Sequence, residues 1–271
     1  MERVKRPLGG GKRHDISLLT DGLRPDRRAN ELRLPWRLAN PSHYGTESMS
    51  DFLPAIELQT GPQPEYTVIW LHGLGADGND FAPIVPELGL APLPAVRFIF
   101  PHAPRMPITW NNGYVMPAWY DIVSLEEGRR HADEGGIRQS REAIRKLIAR
   151  ENERGVPTHR IVLAGFSQGG AMAYVAGLTH PEPLAGIVAL STYIPSPELL
   201  AAEQSDANRK TPVFAAHGTD DPVVPLELGV AARDALIASD YPVEWHSYRM
   251  PHSVCPQEIN DIGAWLRTRL A

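Results

Sequence analysis

The strongest chemical signal in the chain is the run Gly165-Phe166-Ser167-Gln168-Gly169, a G-x-S-x-G pattern. Such a pattern presents a serine hydroxyl on a sharp strand-to-helix turn. The context agrees: an apolar run at 160–164 precedes it, and the small-residue segment Gly169-Gly-Ala-Met-Ala173 follows. Gly165 and Gly169 would let strand and helix approach with no side chain between them. Ser167 would stand at a helix N-terminus, where backbone N–H groups and the helix dipole favour developing negative charge. The chemistry is nucleophilic attack on a carbonyl carbon. A glycine-rich packing turn is the competing structural reading.

A serine hydroxyl needs a base to take its proton. Behind such an elbow the chain order is Ser, then Asp or Glu, then His. The acid should follow a later strand, and His217-Gly-Thr-Asp220-Asp221-Pro222 follows the apolar run 212–216. Two aspartates compete. Pro222 fixes the chain just after Asp221 and favours it, leaving Asp220 as a turn or cap residue. Of the ten histidines, His246 falls inside a strand pattern, whereas His252 sits in Met250-Pro-His-Ser-Val254, between the last strand and the last helix. There its Nδ1–H could face Asp221 and its Nε2 could face Ser167.

The tetrahedral oxyanion also needs donors. One comes from the residue after the nucleophile and one from the loop after an early strand. These positions are Gln168 and Leu74, the latter in Leu71-His-Gly-Leu-Gly75. The same loop spells G-x-G-x-x-G through Gly73, Gly75 and Gly78, so dinucleotide binding has to be weighed. Against it, Asp77 would stand beside the pyrophosphate and no acidic residue ends the next strand. That reading also leaves the Ser, Asp and His positions unexplained. Asp77-Gly78-Asn79-Asp80 lacks the spacing and distal Glu of a calcium loop. No metal or cofactor is called for.

These residues need a scaffold of alternating elements. Strand patterns fall at 66–71, 96–100, 160–164, 186–190, 212–216 and 243–248. Helical patterns fall at 80–88, 134–152, 168–178, 226–239 and 257–270. This alternation predicts an α/β fold with a mostly parallel central sheet, helices on both faces and no large lid domain. Residues 101–133 interrupt it with Pro, Trp and Met, and are expected to form a long irregular loop of functional character.

The 271 residues carry a formal net charge of −5 and one cysteine, Cys255. A lone cysteine excludes an internal disulfide and a cysteine-rich zinc site, and fits a reducing, cytoplasmic setting. No apolar run reaches the ~20 residues of a membrane span. Residues 49–271 hold 17 Lys/Arg and 26 Asp/Glu, a net −9 that argues against nucleic acid as the main partner.

Taken in order, several segments resemble the phospholipase/carboxylesterase family, which includes bacterial carboxylesterases and acyl-protein thioesterases. They are Leu71-His-Gly-Leu-Gly75, Pro101-His-Ala-Pro104, Met116-Pro-Ala-Trp-Tyr-Asp-Ile122, Asp133-Glu-Gly-Gly-Ile137, Gly165-Phe-Ser-Gln-Gly-Gly170, His217-Gly, Asp221-Pro-Val-Val-Pro225 and Met250-Pro-His-Ser253. Together they cover roughly 52–270. The resemblance implies an α/β-hydrolase fold, a Ser167–Asp221–His252 triad and oxyanion donors at Leu74 and Gln168. It implies small-molecule ester or acylated substrates of short to medium chain, including lysophospholipids and acylated cysteines. It also allows a homodimer. Trp119, Met116 and Tyr193 are candidate walls of an acyl groove, and each could equally be core. A non-catalytic binding protein on the same fold is the reading from another class.

Residues 1–48 stand outside the resemblance. They hold 10 Lys/Arg and 6 Asp/Glu, contain Gly9-Gly10-Gly11, and show no sustained period. They read as disordered, or as an extension upstream of a true start at Met49, with a binding arm as the opposing reading. Mass spectrometry of the natural protein tests the start: the Met49 reading expects no peptide from 1–48, and an abundant one overturns it.

Overall fold

The computed structural model describes residues 52–126 and 129–271. The expectations for 1–48 lie outside the described residues. The centre is a seven-stranded sheet of order β1-β3-β2-β8-β9-β10-β11. Its strands are β1 (Ala55–Gln59), β2 (Tyr66–Leu71), β3 (Val96–Pro101), β8 (Ile161–Phe166), β9 (Gly186–Leu190), β10 (Val213–Gly218) and β11 (Val243–Tyr248). All neighbours run parallel except β1, which pairs antiparallel to β3.

The central strands alternate in which face they serve. Val68 and Trp70 of β2 join one apolar cluster with Phe98, Phe100, Val162 and Phe214. Ile69 and Leu71 join the other, with Ile99, Leu163, Ile187 and Ala215. Helices cover both faces because neither could meet water. The first face is covered by α5 (Pro256–Arg269) and a 3-10 segment at Ala82–Leu88. The second is covered by α1 (Glu134–Glu153), α2 (Gln168–Leu178), α3 (Pro197–Glu203) and α4 (Leu226–Ala238). Every residue of α2 is buried, and its small side chains let it lie between the sheet and α1.

Strand order reverses between β2 and β8. The chain leaves β2 for β3 on one side, then returns to β8 and proceeds outward to β11 on the other. In parallel sheets ligands are bound outside the carboxyl ends of strands at such a switch. Here Leu71 ends β2 and pairs in register with Gly165, one residue before the end of β8, so the loop at 72–75 and Ser167 emerge side by side.

Three expectations change. Residues 101–133 are not an irregular loop: they contain two antiparallel hairpins, β4 (Arg105–Ile108) with β5 (Tyr114–Pro117), and β6 (Ile122–Glu126) with β7 (Arg129–Ala132). The first turns through Asn112 and Gly113, both at positive φ, so Asn-Gly was the overlooked hairpin signal. The expected helix at 80–88 is the 3-10 segment, because Pro86 inside it has no N–H to donate. Finally, α3 went unpredicted although Ser196 caps it, accepting from Leu199 N at 3.2 Å, and Pro197 starts it.

One buried charge position stands out. Glu258, in the first turn of α5, is wholly buried, and neither carboxylate oxygen has a well-formed hydrogen bond. Burial pushes its carboxyl up to about 8; the Cys255 backbone N–H offsets only part of this, and Asp261 adds to it. The folded-state value lies above the unfolded one, so ionisation costs stability progressively as pH rises from the ordinary carboxylate range to about 8. Glu258→Gln, which keeps the neutral shape, should therefore raise Tm over wild type more at pH 9 than at pH 5. An equal difference at both pH values would refute the buried, protonated carboxyl.

Candidate active site

The elbow follows from local crowding. A Cβ on Gly165 would lie 2.3 Å from the Gly169 carbonyl, and one on Gly169 would lie 2.2 Å from Leu71 O. No side chain larger than hydrogen fits at either place. Between them Ser167 takes φ 54° and ψ −120°, a strained conformation for a residue with a Cβ. Its own peptide groups hold it there. Ser167 N donates to Leu190 O at 2.8 Å, and Ser167 O accepts from Ala171 N at 3.0 Å and Thr192 Oγ1 at 2.6 Å.

The histidine and the acid arrive from the far half of the sheet. After β10 and β11 the chain is strapped together: Thr219 N donates to Tyr248 O at 2.8 Å, and Asp220 N to Met250 O at 3.2 Å. This brings His252 to Asp221, with Nδ1 2.7 Å from Oδ2. A carboxylate only accepts, so Nδ1 carries the proton and Nε2 is left with a lone pair. The imidazole packs on Phe166, the residue before Ser167, with ring centroids 4.7 Å apart. Asp221 Oδ1 accepts from Val223 N and Val224 N, each at 2.8 Å. Burial alone would raise the Asp221 pKa. The bond and charge of His252 and those two amides outweigh it, holding the carboxyl below its usual range. Asp220 is exposed, its nearest cation Arg249 at 3.9 Å. His246 stays on β11 beside Glu244.

The loop after β2 lies against the elbow. A Cβ on Gly73 would be 3.5 Å from Ser167 Cβ. Gly73 O accepts from His72 Nδ1 at 2.8 Å and from Ala76 N at 3.2 Å. A planar trans peptide points its N–H opposite its C=O, so Leu74 N–H faces away from those donors. Gln168 N–H belongs to the peptide whose oxygen, Ser167 O, is held by Ala171 and Thr192. The loop leads into the 3-10 segment, so it lacks the α-helix N-terminus a pyrophosphate would use.

Met116 and Tyr193 are almost buried and Trp119 is fully so. Met116 Sδ would lie 3.5 Å from a Cβ on Gly75, and Gly75 N donates to Pro117 O at 2.9 Å, so Met116 adjoins the loop. Tyr193 and Tyr120 share a hydroxyl–hydroxyl bond of 2.9 Å. The Trp119 indole N–H donates to His72 O at 2.9 Å, and this ties the ring into the frame of the loop.

Two positioning histidines escaped the sequence reading. His72 Nε2 accepts from Ala103 N at 3.0 Å, which fixes Nδ1 as the donor to Gly73 O. His217 Nε2 donates to Val224 O at 2.8 Å and lies 3.6 Å from Asp221 Oδ2, while its Nδ1 is buried without a partner. Burial lowers the pKa of both, and keeps them neutral near pH 7. A signal was present: His-Gly occurs at the ends of β2 and β10 alike, and each imidazole ties down a carbonyl of the loop that follows.

Comparison with known proteins places the chain in a family. The profile of the Phospholipase/Carboxylesterase family matches residues 54–270. Acyl-protein thioesterase 1 of Mycosarcoma maydis is 41% identical over 225 residues, 78% of this chain and 94% of that protein. Its Neurospora crassa namesake is 42% identical over 234 residues, 80% of this chain and 90% of that protein. The crystal structure of Arabidopsis thaliana SOBER1 superposes with a TM-score of 0.72 at 31% identity, covering 76% of this chain and 99% of that one.

The two aspartates separate experimentally. Asp221→Asn should lower kcat for ester hydrolysis by about 10³–10⁴-fold, because the amide no longer favours the Nδ1–H tautomer. Asp220→Asn should leave kcat within about twofold, as expected of an exposed side chain. Steady-state kinetics of both variants checks the pair. On sequence, match and fold together, this chain belongs to the phospholipase/carboxylesterase family.

Proposed function

We propose that this serine hydrolase of ester bonds works through a Ser167–His252–Asp221 triad, with the Leu74 and Gln168 backbone amides as oxyanion donors. The observation that carries the reading is Ser167 itself. It sits at a strained backbone turn on the N-terminus of α2 and directly follows Phe166, whose ring packs on the His252 imidazole that is bonded to the buried Asp221 carboxylate.

The reaction is a two-step acyl transfer. His252 Nε2 takes the Ser167 proton as Oγ attacks the carbonyl carbon, and the new imidazolium is stabilised by Asp221. Leu74 and Gln168 amides receive the oxyanion. The C–O or C–S bond then breaks, and His252 gives its proton to the departing alkoxide or thiolate. In the second step His252 takes a proton from water, the hydroxide adds to the acyl carbon, and Ser167 leaves with that proton as the acid is released. No redox step or group carrier is required.

Relatives at about 40% identity carry the name acyl-protein thioesterase 1, which supports acylated cysteine as the substrate. The acyl chain would lie beside Met116 and Tyr193, on the side of the loop where β5 packs. A reducing cytoplasmic setting, for which the single cysteine speaks, and a homodimer belong to the same reading.

The test is hydrolysis of p-nitrophenyl esters from acetate to palmitate, of an S-acylated cysteine peptide and of a lysophospholipid, by wild type and Ser167→Ala. Peptide thioester and short-to-medium ester turnover should both be present in wild type and fall by about 10⁶-fold in the variant. Lysophospholipid as the preferred substrate would replace the thioesterase reading. A folded protein inert towards all three would make it a binding protein.

A further inference from the structure

The two amides assigned to the oxyanion come from different parts of the chain, one after β2 and one at the start of α2. Their spacing must be set by something, since tenths of an ångström decide whether both reach one oxygen. The hydrogen bonds trace a connection. Leu74 N–H lies on the peptide whose oxygen is held by His72 Nδ1–H at 2.8 Å. The carbonyl of His72 itself accepts from Trp119 Nε1–H at 2.9 Å. The backbone N–H of that same Trp119 donates to Gln168 Oε1 at 2.9 Å. Gln168 closes the frame by donating Nε2–H to Tyr120 O at 2.7 Å, and its own backbone N–H is the second donor.

Trp119 thus reaches one donor-bearing segment with its side chain and the other with its main chain. The segment between is rigid. Trp119 O accepts from Ser140 Oγ of α1, the indole lies 5.3 Å from the His72 ring, and Trp119 has no exposed surface. The indole N–H of this buried ring is committed to His72 O, whereas that of buried Trp70 has no partner.

We propose that Trp119 is a positioning residue that fixes the separation of the Leu74 and Gln168 amides, so that its indole N–H serves transition-state stabilisation and not substrate binding. The inference rests on the triad and oxyanion assignment made above. Trp119→Phe keeps an aromatic ring and deletes the indole N–H. The one partner it frees, His72 O, is a backbone carbonyl and not one of the two donor amides, so the effect should appear in kcat with KM unmoved.

The experiment compares Trp119→Phe with Trp70→Phe. Trp70 is also a buried indole of β2, but it faces the other apolar cluster and its N–H has no partner. Wild type must first hydrolyse a p-nitrophenyl ester and Ser167→Ala must not; failure there sinks the functional reading and not this one. With that in place, Trp119→Phe should lower kcat by about 10–100-fold, less than the 10²–10³ for losing a donor outright. KM should stay within about twofold, the signature of an interaction made only in the transition state. Inactivation by a p-nitrophenyl phosphonate, whose adduct presents a charged oxygen to the same amides, should slow by a similar factor. Trp70→Phe should lower Tm with kcat intact. Equal loss of kcat in both variants would reduce the effect to packing and overturn the proposal, as would unchanged kcat in folded Trp119→Phe. If Trp119→Phe does not fold, Gln168→Met decides: it leaves the indole in place and cuts both bonds to the 119–120 backbone. The same fall in kcat at constant KM is expected of it, and an unchanged kcat overturns the proposal.

Discussion

The positive φ of Ser167 is the constraint around which the neighbourhood is organised. A residue with a Cβ held in such a conformation costs about 1–3 kcal/mol, and it persists only where the surroundings over-determine it. Here they do. Its amide is committed to β9, its carbonyl to α2 and Thr192, and the two glycines on either side leave no room for the turn to relax. The strained turn joins the end of β8 to the first residue of α2, so Ser167 and the Gln168 amide are placed together. On the proposed assignment, nucleophile and donor come from a single backbone distortion.

The rest of the site is held by neutral imidazoles acting as struts. His72 and His217 are buried, each with its tautomer fixed by a backbone partner, and burial disfavours their protonated forms. They do with side chains what secondary structure does elsewhere, fixing the carbonyls of loops that must not move. Of these three imidazoles, only His252 has a carboxylate as its hydrogen-bond partner; His72 and His217 bond to backbone groups. Three chemically identical rings are thus given different work by what their second nitrogen meets.

Much of this could be read from sequence because the signals were local. The G-x-S-x-G turn, the strand at 186–190 and the helix at 168–178 follow from glycine spacing and apolar period alone, and the structure has them at those bounds. Two kinds of feature stayed hidden. One was local chemistry masked by composition: prolines and tryptophans in 101–133 suggested a loop, whereas Asn112-Gly113 makes a hairpin turn and Pro107 and Pro117 sit in its two-stranded ribbon. The other was non-local. Nothing around Trp119 announces that its indole meets the carbonyl of His72, 47 residues earlier, and nothing around Gln168 announces that its side chain spans two peptide groups 48 and 49 residues away. The choice between Asp220 and Asp221 was of this second kind as well. It turns on which carboxylate faces a histidine 31 residues further on.

The strand order at the switch point has a consequence for the life of the chain before it is complete. The loop after β2 and the elbow after β8 are made in the first two thirds of the sequence, but His252 follows the final strand, and α5 must dock to cover the face of the sheet beneath it. With the triad as proposed, a ribosome-bound chain that has already formed the strained serine turn still lacks its base. On that reading hydrolytic competence waits until β11 has paired with β10 and the loop that follows can bring His252 to Asp221.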